Sequence, residues 1–211
     1  MTELVKKARS YGMPVAIHSI GDGAVEAVAD VIAKHPAPEG ERDRIIHAQI
    51  LRPELIERLK TLRVILDIQP TFVASDFPWV IQRLGNVRLK TSYSWKTLID
   101  AGIICAGGSD APIEEVNPLL GMRAAVDRRA SYDHHVYQVE ERLSVYEAIS
   151  LYTKGSAKAI SKEDQYGMIK EGYAADFTAL DRDLFALKSH ELAEATVTLT
   201  VVDEEVMYQR S

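Results

Sequence analysis

A chain of 211 residues, 46% of them hydrophobic and 27% charged, is long enough for one well-buried core and too short for two ordinary ones. Its 25 basic and 31 acidic residues give a net charge of −6 with the histidines neutral, and no block of Lys or Arg stands out, which argues against nucleic acid or an anionic membrane surface as partner. The single cysteine, Cys105, excludes an intrachain disulfide and a thiolate cage, so any metal must be held by His and carboxylate.

In chain order, short apolar runs alternate with amphipathic stretches, the pattern of βα units around a parallel sheet. Leu4 to Tyr11 reads as a helix closed by Gly12, and Pro14 to Ile17 as a strand ending at His18. A helix follows with Val25, Val28, Ala29 and Ile32 on one face and Asp22 placed to cap it. Arg44 to Ile46 is a second strand ending at His47, with Pro53 in the first turn of a helix to Leu62. Val64 to Ile68 is a third strand, stopped at Gln69-Pro70. Thr71 to Ser94 reads as a long loop with one helix near Trp79 to Leu84, a length typical of substrate walls. Trp95 to Ala101 is a helix, and Ile103 to Ala106 a fourth strand opening into Gly107-Gly108-Ser109-Asp110. Helices over Pro118 to Arg129 and Ser144 to Ala159 follow, the second with a capping box of Ser144 and Glu147. From Tyr166 the texture changes to short strands at Ala175 to Asp181 and Thr196 to Tyr208, with a boundary near residues 162–166. No run approaches the ~20 apolar residues of a membrane span, and the first residues lack the order of a signal peptide, so a cytoplasmic location is expected. The length falls short of the ~250 residues of a complete eight-fold βα barrel.

His18, His47 and Asp110 each stand just past the carboxyl end of a strand, the face on which a parallel βα barrel collects its reacting groups. Two imidazoles and a carboxylate also suffice to hold a zinc-type ion with positions left open. Each residue has an ordinary alternative: a histidine can cap or pack at a strand end, and Ser109-Asp110-Ala111-Pro112 has plain turn chemistry. An open sheet binding a nucleotide is disfavoured, since no Gly-x-Gly-x-x-Gly follows the first strand.

Ile17-His18-Ser19-Ile20-Gly21-Asp22, Ile46-His47-Ala48, Gln69-Pro70-Thr71-Phe72 and Gly108-Ser109-Asp110-Ala111-Pro112-Ile113-Glu114 with Asn117-Pro118-Leu119 occur in that order. Together with Gly167 to Phe177 they resemble the metal-dependent amidohydrolase superfamily, in its YtcJ-like branch (amidohydrolase family 3), carboxyl-terminal half only. The resemblance implies an α/β chain that is the C-terminal half of a TIM-type (β/α)8 barrel, strands 5–8, over residues 1–162, with a small β element over 163–211. It implies a divalent metal, zinc foremost, held by His18 after the fifth strand, His47 after the sixth and Asp110 after the eighth. Asp110 would also be the catalytic proton shuttle in hydrolysis of non-peptide carbon–nitrogen bonds of small amide-type substrates.

The resemblance also implies a His-x-His pair on the first strand, and this chain has none; His134 and His135 are adjacent and lie between two helices. Strands one to four are absent, so the chain is expected to be a fragment of a complete enzyme. The alternative is an inactive half-barrel that self-associates or pairs with a missing amino-terminal half, because four βα units leave two open sheet edges. Gln69, Asp76, Arg88 and Tyr93, with Trp79 and Arg83, are candidates for the substrate wall. Cys105 reads as a buried small hydrophobe, and Val202 to Val206 lacks the glycine expected of a hairpin turn.

Overall fold

Parallel strands form from short apolar runs, and four of the runs in this sequence become such strands in a computed structural model describing residues 1–211. β1 (Ala16–Ser19), β2 (Asp43–His47), β3 (Val64–Ile68) and β4 (Ile104–Gly107) form one parallel sheet in the order β1-β2-β3-β4. α1 (Thr2–Ser10) precedes β1, α2 (Asp22–Lys34) joins β1 to β2, and α3 (Pro53–Leu59) joins β2 to β3. The register aligns Ile17, Ile45, Leu66 and Cys105 on one face of the sheet, where Val25, Val28 and Ile32 of α2 complete the hydrophobic core. At the start of β2 the buried Asp43 accepts from Arg9 Nη2 at 2.5 Å and from the Val15 amide at 2.8 Å, tying α1 and the entry to β1 onto the sheet. No helix is long and apolar enough to cross a membrane.

Several local features differ from what the sequence suggested. Gly21 is the N-cap of α2 and makes no side-chain cap; Asp22 is its first helical residue, and its carboxylate accepts from the Gly23 amide and from Arg88. The segment read as a long loop is mostly helical: α4 (Thr71–Asp76) and α5 (Trp79–Leu89) fill it, the latter kinked at Gly85, whose φ of +69° suits glycine. α6 (Trp95–Asp100) then leads to β4, and α7 (Pro118–Asp127) starts at the Asn117 cap.

The helix expected over Ser144 to Ala159 divides into α8 (Val145–Ser150), a π-helical turn (Leu151–Gly155) and α9 (Ser156–Ala159). The wide turn brings its backbone onto β4: a Cβ added at Gly155 would stand 2.3 Å from the Cys105 carbonyl oxygen, so only glycine fits there. The Ser144–Glu147 capping box is present. Burial pushes the Glu147 carboxyl up, but hydrogen bonds from Ser144 and from Lys96 outweigh it and hold the pKa below the ordinary value. That contribution is present above the unfolded glutamate pKa and is lost as pH falls through the lowered one. Ser144→Ala is expected to cost about 1 kcal/mol in urea unfolding at pH 7.

The carboxyl-terminal strands β5 (Phe177–Leu180), β6 (Val197–Val202) and β7 (Glu205–Gln209) make a second, antiparallel sheet in the order β5-β6-β7. The β6–β7 hairpin closes without glycine, with Asp203 (φ +51°) and Glu204 (φ +66°) both in the left-handed region that two-residue hairpin turns require. Leu184, Leu192 and Ala195 belong to the same core as Ile45 and Leu66, and the 3-10 turn Ser189–Glu194 lies against α7.

Candidate functional site

The other face of the sheet carries three polar side chains, His18, Arg44 and Asp67, among apolar ones. His18 lies in register with Ile46, Ile46 with Asp67, and Asp67 with Ala106. Arg44 reaches across from β2, its Nε donating to Asp67 Oδ2 at 2.8 Å, while Asp67 Oδ1 is buried with no hydrogen-bond partner. Burial pushes the Asp67 carboxyl up against the pull of Arg44. Sequence reasoning passed over this pair, although an aspartate inside the run Val-Ile-Leu-Asp-Ile is itself a signal, because an ionised carboxylate in a buried strand needs a partner.

Strict alternation would send His47 after Ile45 to the core side. Instead φ is +78° at His47 and +45° at Ala48, which ends the extended backbone. His47 Nε2 then stands 2.9 Å from His18 Nδ1, with the two rings edge to face at 4.6 Å between centroids. Asp110, past β4, is also left-handed at φ +55°, and its Oδ2 lies 3.9 Å from the same His47 nitrogen. Non-glycine residues in this region store about 1–3 kcal/mol each, and their coincidence at two strand ends marks a place where geometry is held against strain.

Gln69 holds His47 from behind. Its Oε1 accepts from His47 Nδ1 at 2.7 Å, and its Nε2 donates to the Asp67 carbonyl at 2.9 Å, which fixes the end of the amide that faces the ring. The His47 proton is therefore assigned to Nδ1, and the Nε2 lone pair points at His18 and Asp110. Burial lowers the His47 pKa more than the Gln69 hydrogen bond raises it, which keeps the ring neutral at pH 7. Phe72 stacks on the imidazole at 5.9 Å.

The remaining candidates for the substrate wall have partners within the chain. Tyr93 is fully buried; its hydroxyl donates to Asp76 Oδ2 at 2.7 Å, and Gln49 Nε2 donates to the same carboxylate at 2.9 Å. Burial pushes the Asp76 carboxyl up and the Tyr93 phenol well up. Arg88 is exposed and pairs with Asp22 at 2.8 Å, and the Arg83 guanidinium lies 5.9 Å over the Trp79 ring. Gln49, which closes the Asp76–Tyr93 cluster, carried no signal in the sequence. Cys105 is buried with its thiol pushed up to about 12, which removes it as a nucleophile.

Two imidazole nitrogens on a tetrahedral zinc-type ion stand about 3.3 Å apart. The 2.9 Å between His18 and His47, with the carboxylate oxygen of Asp110 beside them, fits part of such a shell. No group of three or more His, Cys, Asp or Glu side chains closes round a point as a complete site.

A parallel sheet with imidazole and carboxylate gathered at its carboxyl ends defines an α/β protein with a polar cluster where such folds place their sites. The profile of the amidohydrolase family matches residues 1–208, and the chain belongs to that family. It is 54% identical over 210 residues to YtcJ of Bacillus subtilis (strain 168), whose name carries an inferred amidohydrolase activity, covering 99% of this chain and 40% of that protein. It is 26% identical over 215 residues to the N-substituted formamide deformylase of Arthrobacter pascens, covering 99% of this chain and 39% of that enzyme. An uncharacterized metal-dependent hydrolase from Pyrococcus horikoshii superposes with a TM-score of 0.78 at 35% identity, over 89% of this chain and 38% of the other. The chain thus spans about two fifths of the length of these relatives.

Proposed function

We propose that this chain is the carboxyl-terminal part of a metal-dependent hydrolase of non-peptide, amide-type carbon–nitrogen bonds. In this reading β1 to β4 are strands five to eight of its barrel, residues 1–162 the partial barrel and 163–211 the small β element. The observation that carries it is the meeting of His18, His47 and Asp110 at strand ends, with His47 Nε2 kept free of its proton by Gln69. The relative named as a formamide deformylase supports small N-substituted amides as the substrate class.

His18 Nδ1, His47 Nε2 and an Asp110 oxygen would hold the ion, and the all-N/O donor set suits zinc. A bound ion of that kind polarises a carbonyl and brings the pKa of water toward neutrality. Asp110 accepts a proton from the water whose oxygen bonds to the amide carbon. It returns that proton to nitrogen as the carbon–nitrogen bond breaks, leaving a carboxylic acid and an amine. Gln69 acts through His47 as a positioning residue; Asp76 and Tyr93 hold the wall beside it, and Arg88 stands at its rim. The edges of β1 and β4 carry no further strand, and Ala16 and His18 on β1 are exposed, which supports a complementing amino-terminal half as the partner.

The test is zinc titration of the chain followed by elemental analysis. His18→Ala is expected to remove the bound zinc, and Gln69→Leu to weaken it about 10–100-fold through the lost orientation of His47. Zinc retained undiminished by His18→Ala would overturn the assignment.

A further inference from the structure

A polar cleft lies apart from the His18–His47 site. Phe72 and Ala74 are two residues apart on α4 and so face nearly opposite sides of it. Phe72 stacks on His47, whereas Ala74 borders a cleft of about 240 Å³ between α7, residues 129–134 and the turn that holds His190. Its charged and polar lining is Arg123, Asp127, Arg129, Ser131, His134 and His190.

The one carboxylate there is fully engaged. Asp127 is buried, and its Oδ2 accepts from Arg129 Nε at 3.1 Å while its Oδ1 accepts from Ser189 Oγ at 3.0 Å. Arg129 Nη1 donates to the His134 carbonyl at 2.7 Å, which holds that guanidinium and the loop in place. Arg123, half-buried on α7, has neither ion pair nor hydrogen bond within the chain, and the Ser131 hydroxyl and both imidazoles are likewise free. Two guanidiniums against one carboxylate leave a positive charge set among hydrogen-bond donors. The space is smaller than the roughly 300–1,000 Å³ of pockets for drug-sized ligands, which limits the occupant to something compact.

We propose that this cleft binds a small oxyanion, the phosphate or carboxylate group of a small molecule. The Arg123 fork takes two of its oxygens, and Ser131, His134 and His190 donate to the rest. The site shares no residue with His18, His47 and Asp110 and stands whether or not a metal binds there.

The test is calorimetric titration of the 211-residue chain with sodium phosphate and, in parallel, with sodium acetate at constant ionic strength. Saturable binding of one ion per chain is expected. Phosphate alone would identify a phosphoryl group as the ligand, and acetate alone a carboxylate. Arg123→Ala is expected to weaken binding at least about tenfold, as loss of a charged hydrogen-bonding partner does. It should leave the melting temperature without anion nearly unchanged, because Arg123 makes no ion pair or hydrogen bond within the chain. Ser131→Ala should weaken binding by a smaller factor, and His18→Ala should leave it intact. Absence of saturable binding by either ion, or equal affinity in Arg123→Ala, would overturn the proposal.

Discussion

In an enzyme reassembled from this chain and the amino-terminal portion of YtcJ, Asp110→Asn is expected to lower hydrolysis of an N-substituted formamide by about 10²–10⁴-fold, the usual worth of a positioned acid–base group. The substitution is a narrow one. Asparagine matches the carboxylate in size and tolerates the left-handed backbone that Asp110 adopts at φ +55°, so neither strain nor a cavity accompanies the lost charge. The side chain is 39% exposed, which keeps the cost in folding small. With zinc kept saturating, because Asp110 would also hold the ion, the fall should appear in kcat with KM little moved, since the proton passes only as bonds change at carbon and nitrogen. A loss of less than tenfold in steady-state kinetics would remove Asp110 from the proton path.

The largest loss of stability is expected from Arg128→Ala, about 3 kcal/mol or more in urea unfolding. Arg128 is completely buried just after α7, and burial lowers its pKa to about 10, so it remains charged at neutral pH. Its Nη1 donates to the Tyr93 carbonyl at 3.1 Å, its Nε to the Tyr137 carbonyl at 3.0 Å and its Nη2 to Gln138 Oε1 at 2.6 Å. Gln138 Nε2 in turn donates to the Leu89 and Ser92 carbonyls. Alanine would leave a void, take the donor from the buried Tyr93 carbonyl and from the half-buried Tyr137 and Gln138 acceptors, and would release the segment that carries Tyr93. Arg128→Met should recover part of the loss by filling the volume without the donors. If both variants melt with the wild-type chain, the network does not support the fold as described.

The parallel strands were legible because each contains a short apolar run, and the run ends named His18, His47 and Asp110 without reference to any contact. The segment after β3 was not. Thr71 to Leu89 mixes Pro78, Gly85 and polar residues in a way that resembles a loop; its helices form because Phe72, Val73, Phe77 and Val80 find the core, which is a tertiary cause. Asp22 illustrates a shorter-range failure, where its carboxylate turned to Arg88 and left the cap position to Gly21. Gln69 was visible as a polar residue at a strand end, but which neighbour it serves depends on the turn of His47 out of strand geometry, and nothing local in Ile46-His47-Ala48 announces a positive φ. The Gln49–Asp76–Tyr93 cluster gathers three distant stretches of chain, so no window of sequence contains it.

The placement of Leu184, Leu192 and Ala195 in the main core bears on how the chain is made. These side chains follow the last parallel strand by about eighty residues, so during synthesis the sheet waits with one wall missing until they emerge. Such late closure of distant contacts is slow and leaves apolar surface open meanwhile. Truncation before residue 195 would therefore remove part of the core and not a dispensable appendage, and a nascent chain of that length should depend on chaperones more than the finished one.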